Sequence, residues 1–177
     1  FVSVAAGITA SAIEAALGAP LPVIRAMPNT PALVGAGVTA IAPGAHASED
    51  DLAWAQEILG AVGVVVRVKE AQLDAVTGVS GSGPAYVFLV AEALSDAGVL
   101  AGLSRELADT LAFQTLLGAS QLLVQGEDGP AALRAAVTSP GGTTAAGLRE
   151  LERGGVRSAF LEAVMAATER SRELGSG

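Results

Sequence analysis

Cysteine is absent from this 177-residue sequence, and histidine occurs once, at His46. Without thiols the chain cannot form disulfides, use a cysteine nucleophile or build a cysteine zinc site. A single histidine cannot supply a multi-histidine metal centre, and any Ser-His triad would depend on it alone. We therefore expect no metal site.

Basic residues are scarce, with 10 Lys and Arg against 18 Asp and Glu and a formal net charge of −8. This balance argues against a basic face for phosphate backbones, so nucleic acid is not an expected partner. Aromatic residues make up only 3% of a chain that is 51% hydrophobic. The core must then be built from Ala, Leu and Val, which favours tightly packed helices.

Long uninterrupted apolar helices are also lacking. The longest uncharged run, 26–48, contains three prolines and cannot form one spanning helix. Runs 75–91 and 110–126 lie at the short limit for a span and lack basic flanks. The first residues have no charged segment typical of a signal peptide. We expect a cytoplasmic chain with no membrane partner; a small helical membrane protein is the alternative, which solubility without detergent would exclude.

Residues 1–70 alternate short β-branched segments with helical ones, which predicts part of an α/β sheet. Ser48 followed by Asp51 resembles a capping box that opens a helix. The predicted strands are Phe1–Val4, Pro22–Met27, Gly37–Ala42 and Val64–Val68, and the predicted helices are Ser11–Leu17 and a segment ending at Leu59.

Strand patterns disappear after residue 70, and the remaining sequence predicts helices only. Two of these helices, Pro84–Gly98 and Ser104–Gln125, are apolar on all sides and must be buried on all sides. About 100 residues of helix cannot easily achieve that alone, so we expect an obligate homo-oligomer. The other predicted helices are Gln72–Val79, Pro130–Val137, Thr144–Arg153 and Val156–Leu174.

The segment Val137–Thr144 separates two of these helices. Pro140 ends the preceding helix, and Gly141 and Gly142 allow close approach of a ligand to the backbone. The next helix starts at Thr143 or Thr144, where free N–H groups favour a carboxylate- or phosphate-sized anion. The same pattern is also typical of a plain corner between helices with a threonine cap.

Three further segments have the composition of ligand-binding loops. Glycines in Thr77–Tyr86 predict a break between helices where backbone donors converge, or simply close helix packing. The segments Val4–Gly7 and Arg25–Pro31 each follow a predicted strand, and ligands of α/β sheets bind beyond the carboxyl ends of strands. Ordinary strand-to-helix loops are the alternative for both.

Taken in order, these motifs closely resemble pyrroline-5-carboxylate reductases over essentially the whole chain. They are Ala5-Ala6-Gly7-Ile8, Arg25-Ala26-Met27-Pro28-Asn29-Thr30-Pro31, Asp74-Ala75-Val76-Thr77, Ser80-Gly81-Ser82-Gly83-Pro84-Ala85-Tyr86 and Thr138-Ser139-Pro140-Gly141-Gly142-Thr143-Thr144. The resemblance implies an α/β partial Rossmann-type sheet followed by an all-α helical dimerisation domain. Residues 1–70 would be the C-terminal part of the dinucleotide-binding domain, and residues 71–177 the dimerisation and substrate-binding domain.

The resemblance implies reduction of the cyclic imine 1-pyrroline-5-carboxylate to L-proline with NADPH or NADH, the last step of proline biosynthesis. Thr144 would orient the imine and relay a proton as the catalytic residue. The remaining substrate-binding residues would be Ser139, Gly142 and Thr143, with the acidic side chains of Glu70 and Glu127 near the iminium charge. Ordinary surface carboxylates are the alternative for these two glutamates. The cofactor-binding residues would be Val4, Ala5, Ala6, Met27, Pro28, Asn29, Ser82 and Pro84.

One departure concerns the family's opening βαβ unit, whose G-x-G-x-x-G holds the pyrophosphate. Nothing in this sequence matches it, and about 90 residues, or three βαβ-sized pieces, are expected before Phe1. The sequence as written is expected to bind dinucleotide poorly and to be almost inactive. The alternatives are a non-catalytic dimerisation and ligand-binding module, or a related imine or β-hydroxyacid reductase; cofactor binding and activity on other ring imines would distinguish them.

Overall fold

The computed structural model describes residues 1–175, which form a four-stranded sheet with two helices followed by a helical region. A π-helical turn occupies Thr77–Gly81, and 3-10 turns lie at Thr30–Val34 and Glu70–Gln72. The strands are β1 (Val2–Ser3), β2 (Ile24–Met27), β3 (Gly37–Pro43) and β4 (Gly63–Arg67). The helices are α1 (Ala10–Leu17), α2 (Glu49–Gly60), α3 (Leu73–Val76), α4 (Gly83–Leu100), α5 (Arg105–Gln125), α6 (Pro130–Ala136), α7 (Thr143–Arg153) and α8 (Val156–Gly175).

This architecture confirms the predicted α/β sheet followed by helices. The strand order is β1-β2-β3-β4, with β1 parallel to β2 and β3 parallel to β4. Strands β2 and β3 are antiparallel, so the sheet is mixed. Residues 28–36, the link between β2 and β3, are too few for the crossover that a parallel pair requires.

Large side chains fill the core of the sheet. Ile24 and Ile41 are almost completely buried, and Leu52 and Ala55 of α2 pack against them. Leu73 of α3 covers Ala40 and Ala42 in a second cluster. The sheet is therefore covered by α2 and by the segment that contains α3.

The predicted capping box at Ser48 is confirmed. The Ser48 hydroxyl accepts the Asp51 amide at 3.2 Å, and an Asp51 carboxylate oxygen accepts the Ser48 amide at 2.8 Å. The Ser48 hydroxyl also donates to this carboxylate, and this hydrogen bond, followed by that from the Ser48 amide, lowers the pKa of Asp51 below its ordinary value. The start of α2 is thus fixed by local sequence.

The chain divides into two compact units. The first unit contains Phe1–Pro84 and the part of α8 from Leu161 onward, and the second contains Ala85–Phe160. We call them the sheet unit and the helical unit. The sequence places a domain boundary between residues 70 and 71, and that boundary stays a prediction.

Small side chains fill the core of the helical unit. Ala91 and Ser95 of α4 are buried, as are Ala108 and Ala112 of α5. A Cβ atom at Gly98 would lie 2.9 Å from the Cβ of Ala108, so the two helices touch there almost backbone to backbone. Helices α4 and α5 therefore pack through their smallest residues.

An ion pair joins the same two helices at the surface. Arg105 donates to an Asp96 carboxylate oxygen at 2.7 Å, and Asp109 lies 3.8 Å from the guanidinium. The hydrogen bond to Asp96 raises the pKa of Arg105 above its ordinary value. This exposed pair adds little stability by itself, because exposed ion pairs contribute on the order of 0–1 kcal/mol.

Large apolar side chains of α4 and α5 point away from the core of the helical unit. Phe88 is 63% exposed and Leu117 is 51% exposed. By length and composition alone, stretches Glu70–Leu100 and Arg105–Gln125 are apolar enough to cross a membrane. A solvent-exposed apolar surface of this kind marks a site of contact with another protein or with lipid.

The glycine-rich segment after α3 differs from its prediction. The sequence predicts a break in the helix there, but residues 77–81 stay helical with wider π turns. The amide of Ser82 donates to the carbonyl of Thr77 at 2.8 Å, so it does not point at a ligand. Single π turns of this type occur frequently at functional sites.

Candidate functional site

Two of the predicted cofactor-binding loops lie at one edge of the sheet unit. Strands β1 and β2 are parallel neighbours in the register Val2 to Ile24 and Ser3 to Arg25. The loop 4–9 follows β1, and the loop 28–29 follows β2, so both leave the carboxyl edge of this pair. Ligands of α/β sheets bind beyond that edge.

The loop after β1 exposes small side chains and is anchored at Gly7. Val4, Ala5 and Ala6 are exposed, whereas Gly7 is buried with a φ of 78°. A Cβ atom on Gly7 would lie 2.9 Å from the amide nitrogen of Gly175, at the end of α8. The loop needs glycine here for both conformation and space.

The loop after β2 is fixed by Asn29. Its side-chain oxygen accepts the amide of Val38 at 2.9 Å, at the start of the next strand. Met27 packs against the buried cluster that contains Leu73. Met27, Pro28 and Asn29 are all half-buried, so this loop is an ordered part of the sheet unit.

The third predicted segment, 80–84, meets this loop at Met27. A Cβ atom on Gly81 would lie 3.0 Å from the Cε atom of Met27. Ser82 and Pro84, the predicted cofactor contacts, follow directly and are half-buried. The structure therefore brings the segments after β2 and after the π turn together, although they are far apart in sequence.

Contacts with α8 hold the π turn in place. A Cβ atom on Gly78 would collide with the hydroxyl of Thr168 and lie 2.7 Å from the Val164 carbonyl oxygen. Ser171 donates to a carboxylate oxygen of Asp74 at 2.7 Å. The position of segment 77–84 thus depends on residues about 90 positions later in the chain.

Glu70, expected beside the substrate, makes two other contacts. Its Oε1 accepts the amide of Ala10 at 2.7 Å and the Nη1 of Arg25 at 3.1 Å. The Arg25 side chain is 10% exposed and that of Glu70 is 35% exposed. The contacts of this carboxylate in the sheet unit are therefore with the start of α1 and with β2.

The predicted substrate loop lies within the helical unit, at the start of α7. Gly141 has a φ of 70°, and the Gly142 amide donates to the Ser139 carbonyl at 3.1 Å to form a turn. A Cβ atom on Gly142 would collide with the Ser139 hydroxyl, which would then have to rotate away. The turn thus requires glycine at 141 for its backbone conformation, and glycine at 142 leaves the Ser139 hydroxyl in place.

The first amides of α7 are available as donors. Gly142 is the N-cap, and within residues 1–175 no side chain caps this end of the helix. The first turn carries no acidic residue. Such an end combines unpaired N–H groups with the positive end of the helix dipole and favours an anion.

The hydroxyl-bearing residues of this loop are open to solvent. Ser139, Thr143 and Thr144 are exposed, and Gly142 is half-buried. The threonine cap that the sequence offered as an alternative is not formed, because the cap is Gly142. Glu127, in the link between α5 and α6, is also exposed.

Sequence reasoning gave Arg25, Gly78 and Ser171 no individual role. Arg25 could have been noticed, because a charged residue inside a strand of buried apolar residues requires a partner. No sequence pattern marked Gly78 or Ser171, because each contacts a residue that is distant in sequence.

Known proteins resemble the chain over nearly its whole length. A pyrroline-5-carboxylate reductase of a Synechocystis species is 60% identical over 153 residues, which is 86% of this chain and 57% of that protein. The solved structure of a pyrroline-5-carboxylate reductase from Coxiella burnetii has a TM-score of 0.94 at 42% identity, covering 98% of this chain and 64% of that one.

A second solved structure contains a nucleotide. It is a pyrroline carboxylate reductase from Plasmodium falciparum with NADP bound, with a TM-score of 0.91 and 35% identity over 99% of this chain and 71% of that one. The chain spans between 57% and 65% of the length of the curated relatives it matches. Residues 70–174 match the family described as pyrroline-5-carboxylate reductase dimerisation. The chain belongs to the pyrroline-5-carboxylate reductase dimerisation family.

Proposed function

We propose that this chain is part of an NADPH- or NADH-dependent reductase that converts 1-pyrroline-5-carboxylate to L-proline, the final step of proline biosynthesis. The observation that carries the proposal is the uncapped start of α7, where Ser139 and free amides face solvent. The named relatives and the nucleotide in the Plasmodium falciparum structure support it. The cytoplasm is the proposed location.

The substrate carboxylate is proposed to bind at the start of α7. The amides of Thr143 and Thr144 would donate to it, with the Ser139 hydroxyl beside them. Gly142, whose own amide donates to the Ser139 carbonyl, would let the carboxylate approach the backbone closely. One carboxylate suits this arrangement because the helix end supplies several donors to a single anion. This contact places the ring without taking part in the chemical step.

Thr144 is the proposed catalytic residue. Reduction adds a hydride to the imine carbon and a proton to the imine nitrogen, which together convert the C=N bond to an amine. The Thr144 hydroxyl would hydrogen-bond to the nitrogen and relay that proton from solvent. Glu127 would stabilise the positive charge of the protonated imine. The rest of catalysis is positioning of the two reactants.

The nicotinamide is proposed to lie at the carboxyl edge of β1 and β2, where it supplies the hydride when bound. The exposed, small residues Ala5 and Ala6 leave room for a flat ring, which supports the fit. The remaining proposed contacts are Val4, Met27, Pro28, Asn29, Ser82 and Pro84.

A second copy of the chain is the proposed partner of the helical unit. Exposed apolar residues on α4 and α5, together with the match to a dimerisation family, support a homodimer or a higher oligomer. By length and composition the same helices also fit a membrane span, which is the competing interpretation. Solubility of the purified protein without detergent distinguishes the two.

The catalytic assignment is tested with Thr144→Ala in the native polypeptide, retaining any residues that flank this sequence. We expect kcat/KM for the imine substrate to fall about 100-fold, in the range of a lost proton-transfer residue. Thr110→Ala, the same change at an exposed threonine of α5, is the control. A value within about twofold of wild type would show that Thr144 is not catalytic.

The reaction itself is tested with the wild-type polypeptide. Turnover of the proposed imine, 1-pyrroline-5-carboxylate, well above that of other ring imines supports the named substrate. Faster turnover of another imine or of a β-hydroxyacid indicates a related reductase. Failure to bind either dinucleotide indicates a non-catalytic module.

A further inference from the structure

A single carboxylate oxygen joins three segments of the sheet unit. We propose that Glu70, with Arg25, is a positioning pair that holds the two loops on the cofactor side at the spacing the nicotinamide requires. The inference rests on the proposed function, because it assigns these loops to a dinucleotide. It gives Glu70 an indirect role in place of the substrate contact implied by family resemblance.

The first of the three segments is the loop 4–9, which ends where α1 begins. The amide of Ala10 is the first of α1 and has no acceptor within the helix. Glu70 supplies that acceptor at 2.7 Å, and Thr9 caps the amide of Ala12 at 3.1 Å. Ala10 is buried, and the N–H group of a buried residue requires an acceptor. The end of the loop is thus fixed by Glu70.

The second segment is β2, which ends at Met27, directly before the loop 28–29. Arg25 is only 8% exposed and donates to the same Glu70 oxygen at 3.1 Å. A buried guanidinium without a partner is strongly destabilising. Removal of the Glu70 carboxylate would therefore draw Arg25 toward solvent and displace β2 two residues before its end at Met27.

The third segment is the chain that begins at Glu70 itself. From Glu70 it passes through α3, which covers the sheet, and the π turn to Gly81, beside Met27. The carboxylate therefore holds the two segments that lie beside β2: the loop after β1 and the segment that returns to Met27. The first two segments carry or adjoin proposed nicotinamide contacts, and the third leads directly to two more, Ser82 and Pro84. None of the proposed carboxylate ligands at α7 lies in these segments.

This placement predicts that loss of Glu70 lowers the affinity for the dinucleotide and leaves the affinity for the imine unchanged. In Glu70→Ala, we expect the Kd and KM for NADPH to rise about tenfold or more, because small displacements of a binding loop are costly. The KM for the imine substrate should stay within about threefold of wild type. Glu70→Gln keeps an acceptor for Ala10 but loses the charge, so it should recover part of the affinity.

The matched control is the exposed ion pair between Glu49 and Arg67. Its atoms are 2.6 Å apart, closer than in the Glu70 pair, but the side chains are 82% and 41% exposed. Glu49→Ala should leave the Kd for NADPH unchanged. An equal loss in Glu49→Ala and Glu70→Ala would show a general effect of charge and would overturn the inference.

The affinity for NADPH is measured without imine, in the native polypeptide, by titration calorimetry. If the wild type binds and Glu70→Ala binds equally well, the positioning role is wrong and the proposed reductase stands. If only the KM for the imine rises, Glu70 contacts substrate directly and the inference is overturned.

A wild type that binds neither dinucleotide overturns the proposed function and this inference together. If Glu70→Ala does not fold, Glu70→Gln decides. A Kd for NADPH raised at least threefold, with the KM for the imine unchanged, then supports the positioning role, and an unchanged Kd overturns it.

Discussion

The two units of this chain differ in the size of the side chains that they bury. The sheet unit encloses Ile24 and Ile41 almost completely, whereas the helical unit encloses Ala91, Ala108 and Ala112. The large residues of the helical unit stay at its surface, with Leu89 of α4 65% exposed.

This difference shows that only the sheet unit builds a core from its own large side chains. Burial of a Leu or Phe side chain contributes about 1.5–3 kcal/mol, and the helical unit leaves that contribution unused on most of its surface. Small residues let α4 and α5 approach closely, which turns their bulky residues outward. An apolar surface presented this way suits a second copy of the same helices.

The largest effect should come from the core of the sheet unit. Ile41→Ala removes a fully buried side chain from β3, and we expect the free energy of unfolding to fall by about 2–5 kcal/mol. Urea denaturation of the native polypeptide measures it. Leu33→Ala, at a residue 90% exposed, should change it by less than about 0.5 kcal/mol. Equal losses in the two variants would contradict the comparison.

A smaller effect, and one of a different kind, is expected on the surface of the helical unit. Leu117→Asp places a charge on the face proposed for the second copy, so the dimer Kd should rise about 100-fold, or roughly 2.7 kcal/mol. Analytical ultracentrifugation over a dilution series measures this. Leu33→Asp is the control outside the helical unit. A dimer unaffected by Leu117→Asp would place the interface elsewhere.

The smallest of the three effects concerns the close approach of α4 and α5. Gly98→Val inserts atoms against Ala108, and we expect a loss of about 1–3 kcal/mol from overpacking. Gly147→Ala, inside α7, adds a Cβ that has no atom of residues 1–175 within 4 Å other than its adjacent residues and the nearby backbone of its own helix, and it should gain about 0.5–1 kcal/mol. Thermal unfolding compares the two variants, and a neutral Gly98→Val would mean that the helices can separate.

The secondary structure was predictable because its signals are local. Ser48 and Asp51 cap α2 as their spacing indicates, and glycines or prolines bound most of the helices. The direction of β3 was not read from the sequence, although the short link 28–36 constrains it. The π turn at 77–81 was not predicted either, because the shift from a break to a wider helix depends on packing against α8.

The candidate site likewise has one part with local sequence signals and one part without them. Pro140 and two glycines indicate the loop 138–144, and the structure shows the uncapped helix start that these residues produce. The contact of Gly81 with Met27 and the bonds of Glu70 to Ala10 and Arg25 join residues distant in sequence. No local pattern marks such pairs.

The sequence alone accounts for most of the elements, for the cap of α2 and for the family, because propensity, capping and ordered motifs act over a few residues. It also determined the apolar surface of α4 and α5, since both helices are apolar all round. Which distant residues meet depends on the tertiary fold, as for Glu70 with Arg25 and Gly98 with Ala108. The reason is that a buried charge and a close backbone approach are satisfied by whichever partner the fold brings within bonding distance.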